Sequence, residues 1–371
     1  MTARLIESPA EMAATGTLAG AYASAFAAQG TRRLIANAAS RMLLGQAAGH
    51  FLPVTVDDGG FGLSYVANPH SAYVLYARRE MDLVGMRRGR RAAGVALGLL
   101  DAALRAVRID RIVHIDNWLL STNLHGSWKG QGLAEIRVLL SARFPRHFLA
   151  LRSLDDWSSP QLLAAARADG WLLLPARQIW VVDDLARDWR LRGNAGHDRR
   201  ALARSGLLVE ASTPLDDARI AELYGLLYLD KYSSLNPVFT AGFVRLTHEI
   251  GMIDYRVARE ASGRVQAVAG MWAREGVMTP PVVGYDTSQP QNEALYRIAS
   301  YLFCEAAETK GWRLHGSAGA AAFKRNRGAH GVIEYLAIYA GHLSAARRAP
   351  VAALASALEH LVVPMMRREG W

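Results

Sequence analysis

Residues Gly316–Tyr339, "GSAGAAAFKRNRGAHGVIEYLAIY", open on small residues, pass through a basic turn and close on an apolar run. With "WRLH" just before it, the stretch reads as strand, turn, strand. Three cations, Lys324, Arg325 and Arg327, stand on the turn between Gly319 and Gly328. A solvated turn accounts for them, and so does an anionic group docking beside the sheet.

Outward from that finish, the second half reads as strand "LLVEAST", helix "LDDARIAELYGLLYLDKYSS" and helix "TAGFVRLTHEIG". Three strands follow in meander order, "IDYRVAREA", "VQAVAGMWAR" and "VMTPPVVGYD", and then helix "NEALYRIASYLFCEAAETKG". A last helix covers roughly residues 351–368. The first half reads as two helices over its first fifty residues, with Ser8 as N-cap and Glu11 three residues on. Strand-like pieces "HFLPVTVDD", "FGLSYVAN" and "AYVLYARREMDLVG" come next. Helix "RRAAGVALGLLDAALRAV", strand "DRIVHIDNWLL" and further alternating elements complete it. Strands alternating with helices imply an α/β (α+β) chain with mixed sheets. The arginine-rich stretch 183–207 marks the joint, so the expected domains are 1–190 and 191–371, the second carrying the C-terminal helix.

The chain has 371 residues, 51% of them hydrophobic, and is long enough for two cores. One cysteine, Cys304, excludes an intrachain disulfide and any multi-cysteine metal site. No apolar run is read as crossing a bilayer; "AAGVALGLLDAALRAV" carries Asp101 and Arg105. The acidic residues Glu7 and Glu11 argue against a secretion signal, and a cytoplasmic setting with no membrane partner is expected. A net charge of +10 and an isoelectric point near 9.9 favour acidic partners. No aromatic-interleaved basic run marks a single-strand binder. Phosphate-loop, nucleophile-elbow and zinc-protease motifs are lacking too.

The order of elements resembles the GNAT acyltransferase fold, used twice in tandem, each copy a central mixed β-sheet flanked by helices. In that family a loop written [QR]-x-x-G-x-[GA] leads from the fourth strand into a helix and holds the phosphates of the donor. Arg91-Ala92-Ala93-Gly94-Val95-Ala96 matches it, which implies Arg91 and Gly94 as donor contacts. The corresponding junction in the second half, "GYDTSQPQNEALYR", has no such glycine. The basic turn between the last strands resembles Fem-type aminoacyl transferases, so Lys324, Arg325 and Arg327 are further donor-phosphate candidates.

The resemblance implies transfer of an acyl group from a thioester to the amine of a small molecule, in specialised metabolism. The co-substrate is acyl-CoA or a phosphopantetheinyl thioester on an acidic acyl carrier protein, with no tightly bound cofactor and no metal. Aminoacyl-tRNA is the alternative donor, and a non-catalytic binding module the third reading. Strand ends supply the catalytic candidates Tyr285, Asp286, His315 and Glu334. Asp286 is equally a turn cap, His315 a core histidine and Glu334 a solvated strand residue. Acceptor candidates are Tyr232 and Ser233, at a helix end closed by Asn-Pro, with Asn117 and Trp118 in the polar, aromatic stretch "NWLLSTNLHGSWKGQG". Tyr232 also reads as a plain helix stop and Trp118 as a packing anchor.

Overall fold

The structure is a computed structural model that describes residues 3–83, 89–290 and 293–369. Arg87 and Arg88 of the basic run 87–91, and Gln291 and Asn292 of the second-half junction, lie outside the described residues.

The chain runs β1 (Arg4–Ile6), α1 (Pro9–Ala14), α2 (Leu18–Gln29), α3 (Thr31–Leu34), β2 (Arg41–Ala47), β3 (His50–Asp58), α4 (Ala77–Leu83) and α5 (Arg90–Ala106). It continues with β4 (Arg111–Ile115), α6 (Leu133–Arg143), β5 (Phe148–Leu154), α7 (Pro160–Ala168), β6 (Leu172–Val182), α8 (Gly193–Ser205), β7 (Leu208–Ala211), α9 (Asp217–Gly225) and α10 (Ala241–Glu249). Then come β8 (Asp254–Arg259), β9 (Val265–Arg274), β10 (Val277–Tyr285), α11 (Leu295–Thr309), β11 (Arg313–His315), α12 (Ala321–Arg325), β12 (His330–Tyr339), α13 (Ala345–Ala357) and α14 (Val363–Glu369).

These elements form two units. Unit 1 holds Met1–Arg177, Tyr232–Val238 and Ile333–Arg368; unit 2 holds Gln178–Lys231, Phe239–Val332 and Glu369–Trp371. The sequence reading puts the joint at 190/191, whereas β6 and β12 here each contribute residues to both units. In unit 1 the strand order is β1-β2-β3-β4-β5-β12-β6, and in unit 2 it is β12-β6-β11-β10-β9-β8-β7. Each unit has a mixed sheet that includes a parallel pair, β4–β5 in unit 1 and β10–β11 in unit 2. Strand β12, from the end of the chain, lies antiparallel to β5 with Tyr335 opposite Leu154 and Tyr339 opposite Leu149.

In unit 1, alternation along β4 and β5 buries both faces of the sheet. Val113, Ile115, Leu149 and Leu151 join one core with Ile136 of α6 and Leu162 of α7. Ile112, Phe148 and Ala150 join another with Leu104 of α5 and Val351 and Ala355 of α13. In unit 2, Met271, Met278 and Leu314 pack with Tyr301 and Cys304 of α11.

Several local readings change. The first expected helix breaks at Gly16, whose φ of 64° leaves the helical region. Thr17 then caps α2 by accepting from the Gly20 N–H. "RMLLGQA", expected in a helix, is strand β2, hydrogen-bonded to both β1 and β3. "AYVLYARREMDL", expected as a strand, is helical from a π-turn at Ser71–Tyr76 into α4. Asn68 starts that helix by accepting from the His70 N–H at 3.0 Å, so the Asn-Pro turn is a helix start. The view that no apolar run suffices for a bilayer is corrected as well. The helical run Ala345–Arg368 is long and apolar enough to cross one.

Candidate active site

The parallel pair of unit 1 opens where the chemistry gathers. β4 and β5 stay in register from Ile112–Phe148 to Ile115–Leu151. Beyond it, Asp116 (φ 51°) and Ser153 (φ 57°) both adopt left-handed backbone, a conformation that costs a non-glycine residue about 1 kcal/mol. Crevices beyond the carboxyl ends of parallel strands are where open α/β sheets bind ligands.

Buried polar groups hold the turn after β4. Asp116 accepts from Trp118 Nε1 at 2.9 Å, and its Oδ2 lies 2.7 Å from His125 Nδ1. The other ring nitrogen of His125 is 2.9 Å from the Arg152 carbonyl oxygen. Both ring nitrogens thus have a partner that holds the imidazole in place. Asn117 donates to Thr55 Oγ1 at 2.9 Å and accepts from Arg152 Nη1 at 3.2 Å. Tyr22 holds Trp118 in place by donating to its carbonyl oxygen.

Beside this turn lies an ion cluster. Arg177 on β6 grips Glu334 on β12 with two parallel bonds, Nε to Oε1 at 2.8 Å and Nη2 to Oε2 at 3.1 Å. Arg177 Nη2 also donates to the Ser121 carbonyl oxygen at 2.6 Å. Arg152 on β5 is buried and spends its guanidinium on Asn117 and on the carbonyls of Leu120 and Ser121. Burial pulls its pKa down to about 10, although the Tyr65 oxygen and Glu334 work the other way. For Arg177 burial also works against the charge, but Glu334, Tyr65 and Tyr76 outweigh it and the net shift is upward. Arg152 and Arg177 thus stand beside Glu334, and Glu80 on α4 is a second carboxylate that feels the Arg177 charge.

Tyr65 and Tyr76 stand edge to face at 5.4 Å, and the Arg152 guanidinium lies 6.0 Å from the Tyr65 ring. Burial raises the Tyr76 phenol, and the Asn236 side chain hydrogen-bonded to it opposes that shift. Asn236 belongs to the segment 232–238, which docks on unit 1. Asn37 donates to the carbonyls of Ser234 and Asn236, and Ser64 to that of Leu235.

The structure therefore gathers Glu334, Asn117, Trp118, Tyr232 and Ser233 in unit 1. Trp118 is fully buried and serves the turn. The Tyr232 carbonyl accepts from Arg79 Nε, and Ser233 Oγ accepts from the Leu235 N–H. Glu334 is buried rather than solvated, because Arg177 holds it.

The remaining candidates lie elsewhere. Arg91 and Gly94 are exposed on α5, with helix α4 rather than a strand as the element before it, and nothing approaches within 4 Å of a Cβ built on Gly94. Among the described residues no strand stands between α4 and α5. In unit 2, Asp286 is buried. Burial works against its charge, yet bonds from Ser288 and from Arg219 at 2.6 Å outweigh that and bring its pKa down to about 2; Arg264 lies 3.0 Å away. Tyr285 Oη lies 3.4 Å from Lys231 Nζ. His315 is buried, and its Nδ1 accepts from the Ser317 N–H at 3.2 Å.

The basic turn is not a row of solvated charges either. Lys324 donates to the Ala318 carbonyl at 2.7 Å. Arg327 is buried, donates to Asp198 at 2.8 Å, and shares that carboxylate with Arg297. Arg325 is exposed, its guanidinium 5.3 Å from the Trp180 ring. Packing and ion pairing thus occupy two of the three cations, which corrects the expectation that all three face a ligand.

Sequence reasoning missed Arg152, Arg177, Tyr65 and Tyr76, and it also missed a turn. The segment from β4 into α6 ends Ser127-Trp128-Lys129-Gly130-Gln131-Gly132, which carries both glycines of the donor-loop pattern with serine in the Gln/Arg place. It stands between a parallel-sheet strand and a helix, the context that Arg91 lacks. Gly130 (φ 97°) and Gly132 (φ 73°) are left-handed, and a Cβ on Gly130 would sit 2.6 Å from that of Ala165. The signal was the paired glycines directly ahead of "LAEIRVLL".

No family model matches the chain, and no curated protein does. Among solved structures it is similar to a C-terminal DUF2156 domain from Agrobacterium fabrum, at 15% identity over 67% of this chain and 82% of that one, with a TM-score of 0.45. It is similar to FemX at 8% identity, over 55% of this chain and 76% of that one, with a TM-score of 0.42. A GCN5-related N-acetyltransferase from Kribbella flavida matches at 16% identity, over 63% and 84%, with a TM-score of 0.35. These are likenesses of fold alone.

Proposed function

We propose that this protein is a GNAT-type N-acyltransferase working at the carboxyl end of the β4–β5 pair of unit 1. One observation supports this above the others: the end of a parallel pair is flanked by a two-glycine turn into α6 and by the Arg152–Arg177–Glu334 cluster. N–H groups at such a helix start suit a donor phosphate. The Arg177 guanidinium, which stays partly exposed, suits the oxyanion formed when an amine adds to a thioester carbonyl. In that step the C–N bond forms, the C–S bond breaks, the amine loses a proton to water and the thiolate gains one. Tyr76, whose ring stands edge to face with Tyr65 beside the cluster, is our candidate to supply the latter.

The donor we favour is a phosphopantetheinyl thioester, on coenzyme A or an acidic acyl carrier protein, and the acceptor a small amine. The net charge of +10 supports an acidic donor. That charge also supports aminoacyl-tRNA as a second reading. A cytoplasmic role in specialised metabolism belongs to the same proposal.

The test is intact-mass detection of acyl transfer by the full chain with each donor, with and without ribonuclease. Transfer from a thioester that ribonuclease leaves intact is expected; ribonuclease-sensitive transfer selects the tRNA reading. No transfer from any donor refutes both and leaves a binding module. In the active case, Lys129→Glu on the exposed turn should raise the donor KM about tenfold without lowering Tm. Tyr76→Phe should lower kcat by about 10²-fold.

A further inference from the structure

The two outer helices of unit 1 carry apolar residues on their solvent side. In α5, Leu100 and Leu104 face the core around Phe148 and Val351. Its other side presents Ala92, Val95, Leu99, Ala102 and Ala106, at the three- and four-residue spacing of one helix face. Val95 is 66% exposed and Leu99 70%. α13 touches α5 and packs on the same core. Only 17% of the apolar window within Ala345–Arg368 is buried, and Leu361 is 69% exposed. A helix this apolar and this exposed is unusual for a surface that meets only water.

The charges beside the patch point to its occupant. Arg90 and Arg91 are exposed at the start of α5, and Arg348, Arg367 and Arg368 along the C-terminal helix. Between Ala345 and Arg368 the sequence has a single carboxylate, Glu359. Pairing this patch with a second copy would set arginines against arginines, whereas an anionic lipid surface complements both the apolar face and its cationic ends. The helix lies along the protein rather than spanning a bilayer, because Val351, Ala355 and Val363 are buried in unit 1.

We infer that α5 and the helix Ala345–Arg368 form a docking face that seats unit 1 on an anionic lipid bilayer. This surface is distinct from the candidate active site and does not rest on the acyl-transfer reading.

The test is co-sedimentation of the full chain with vesicles of phosphatidylcholine alone or mixed with phosphatidylglycerol. Binding to the mixed vesicles should exceed binding to the neutral ones about tenfold and fall with salt. The double variant Leu99→Glu/Leu361→Glu should lose about tenfold or more of that binding while keeping its circular dichroism and Tm. Arg367→Gln/Arg368→Gln should lose selectivity for the anionic lipid. Leu215→Glu, at a 93% exposed position in unit 2, should bind like the parent. Equal binding by the parent and L99E/L361E overturns the inference, as does no preference for anionic vesicles. A concentration-dependent dimer abolished by L361E, with no vesicle binding, overturns it in favour of self-association.

Discussion

Replacing Glu334 by Gln tests the reading of the Arg152–Arg177–Glu334 cluster most directly. The carboxylate takes two charge-assisted bonds from Arg177, and its side chain is 4% exposed. Breaking a fully buried pair costs about 3–5 kcal/mol because the surviving charge is stranded. Here Arg177 keeps 21% exposure and a bond to the Ser121 carbonyl, so water relieves part of the cost. About 2–3 kcal/mol is the expected loss. For a unit of this size that corresponds to a fall in Tm of roughly 5–10 °C. Urea unfolding of the full chain with two probes, one per unit, should place the change in the transition that reports unit 1. The companion variant Arg177→Met/Glu334→Leu removes both charges and should recover more than half of the loss. Should Glu334→Gln unfold within about 0.5 kcal/mol of the parent, the pair is solvated rather than buried, and the argument for an oxyanion site at Arg177 goes with it.

Three further changes follow from the same physics. Burial raises the Asp57 carboxyl to about 7, although Ser40 Oγ donates to it at 2.9 Å; its stabilising contribution is present at low pH and lost as pH rises through about 7. Asp57→Asn should remove that loss, so the parent falls relative to the variant by about 2 kcal/mol between about pH 5 and pH 9, read by urea titration at each pH. Asp286 has the opposite sign: its pKa is depressed to about 2, so its contribution is present above the usual carboxylate range and lost as pH falls through about 2. Asp286→Asn should cost about 2 kcal/mol at neutral pH and narrow toward zero in acid; a pH-independent difference would contradict the assignment. A Cβ at Gly284 would meet the Leu223 backbone at 2.5 Å, so Gly284→Ala should lower stability by about 3 kcal/mol, and an unchanged Tm would show that β10 and α9 are packed less closely.

The element types were largely legible because they depend on local chemistry. The alternation in "RIVHI" and "FLALRSL", the meander of β8 to β10 and the apolar face of α11 are carried by residues a few positions apart. Local reading erred where a polar cap outweighed composition, as when Asn68 turned "AYVLYARREMDL" into a helix. In "SWKGQG" the information was present, but an arginine-rich chain offered the competing match at Arg91.

By itself, then, the sequence determined an α/β chain, much of its strand and helix vocabulary, its cationic balance and its single thiol. Tertiary structure alone decided which strand lies beside which: nothing local in β12 says that Tyr335 pairs with Leu154, 181 positions earlier in the chain. It also decided which charges are spent on other side chains. An arginine's role depends on what stands within a few ångströms, and Arg327 meets Asp198 from a sequence distance of 129 residues. Periodicity speaks of faces and turns, whereas desolvation and ion pairing are set by contacts made only when distant segments close on one another.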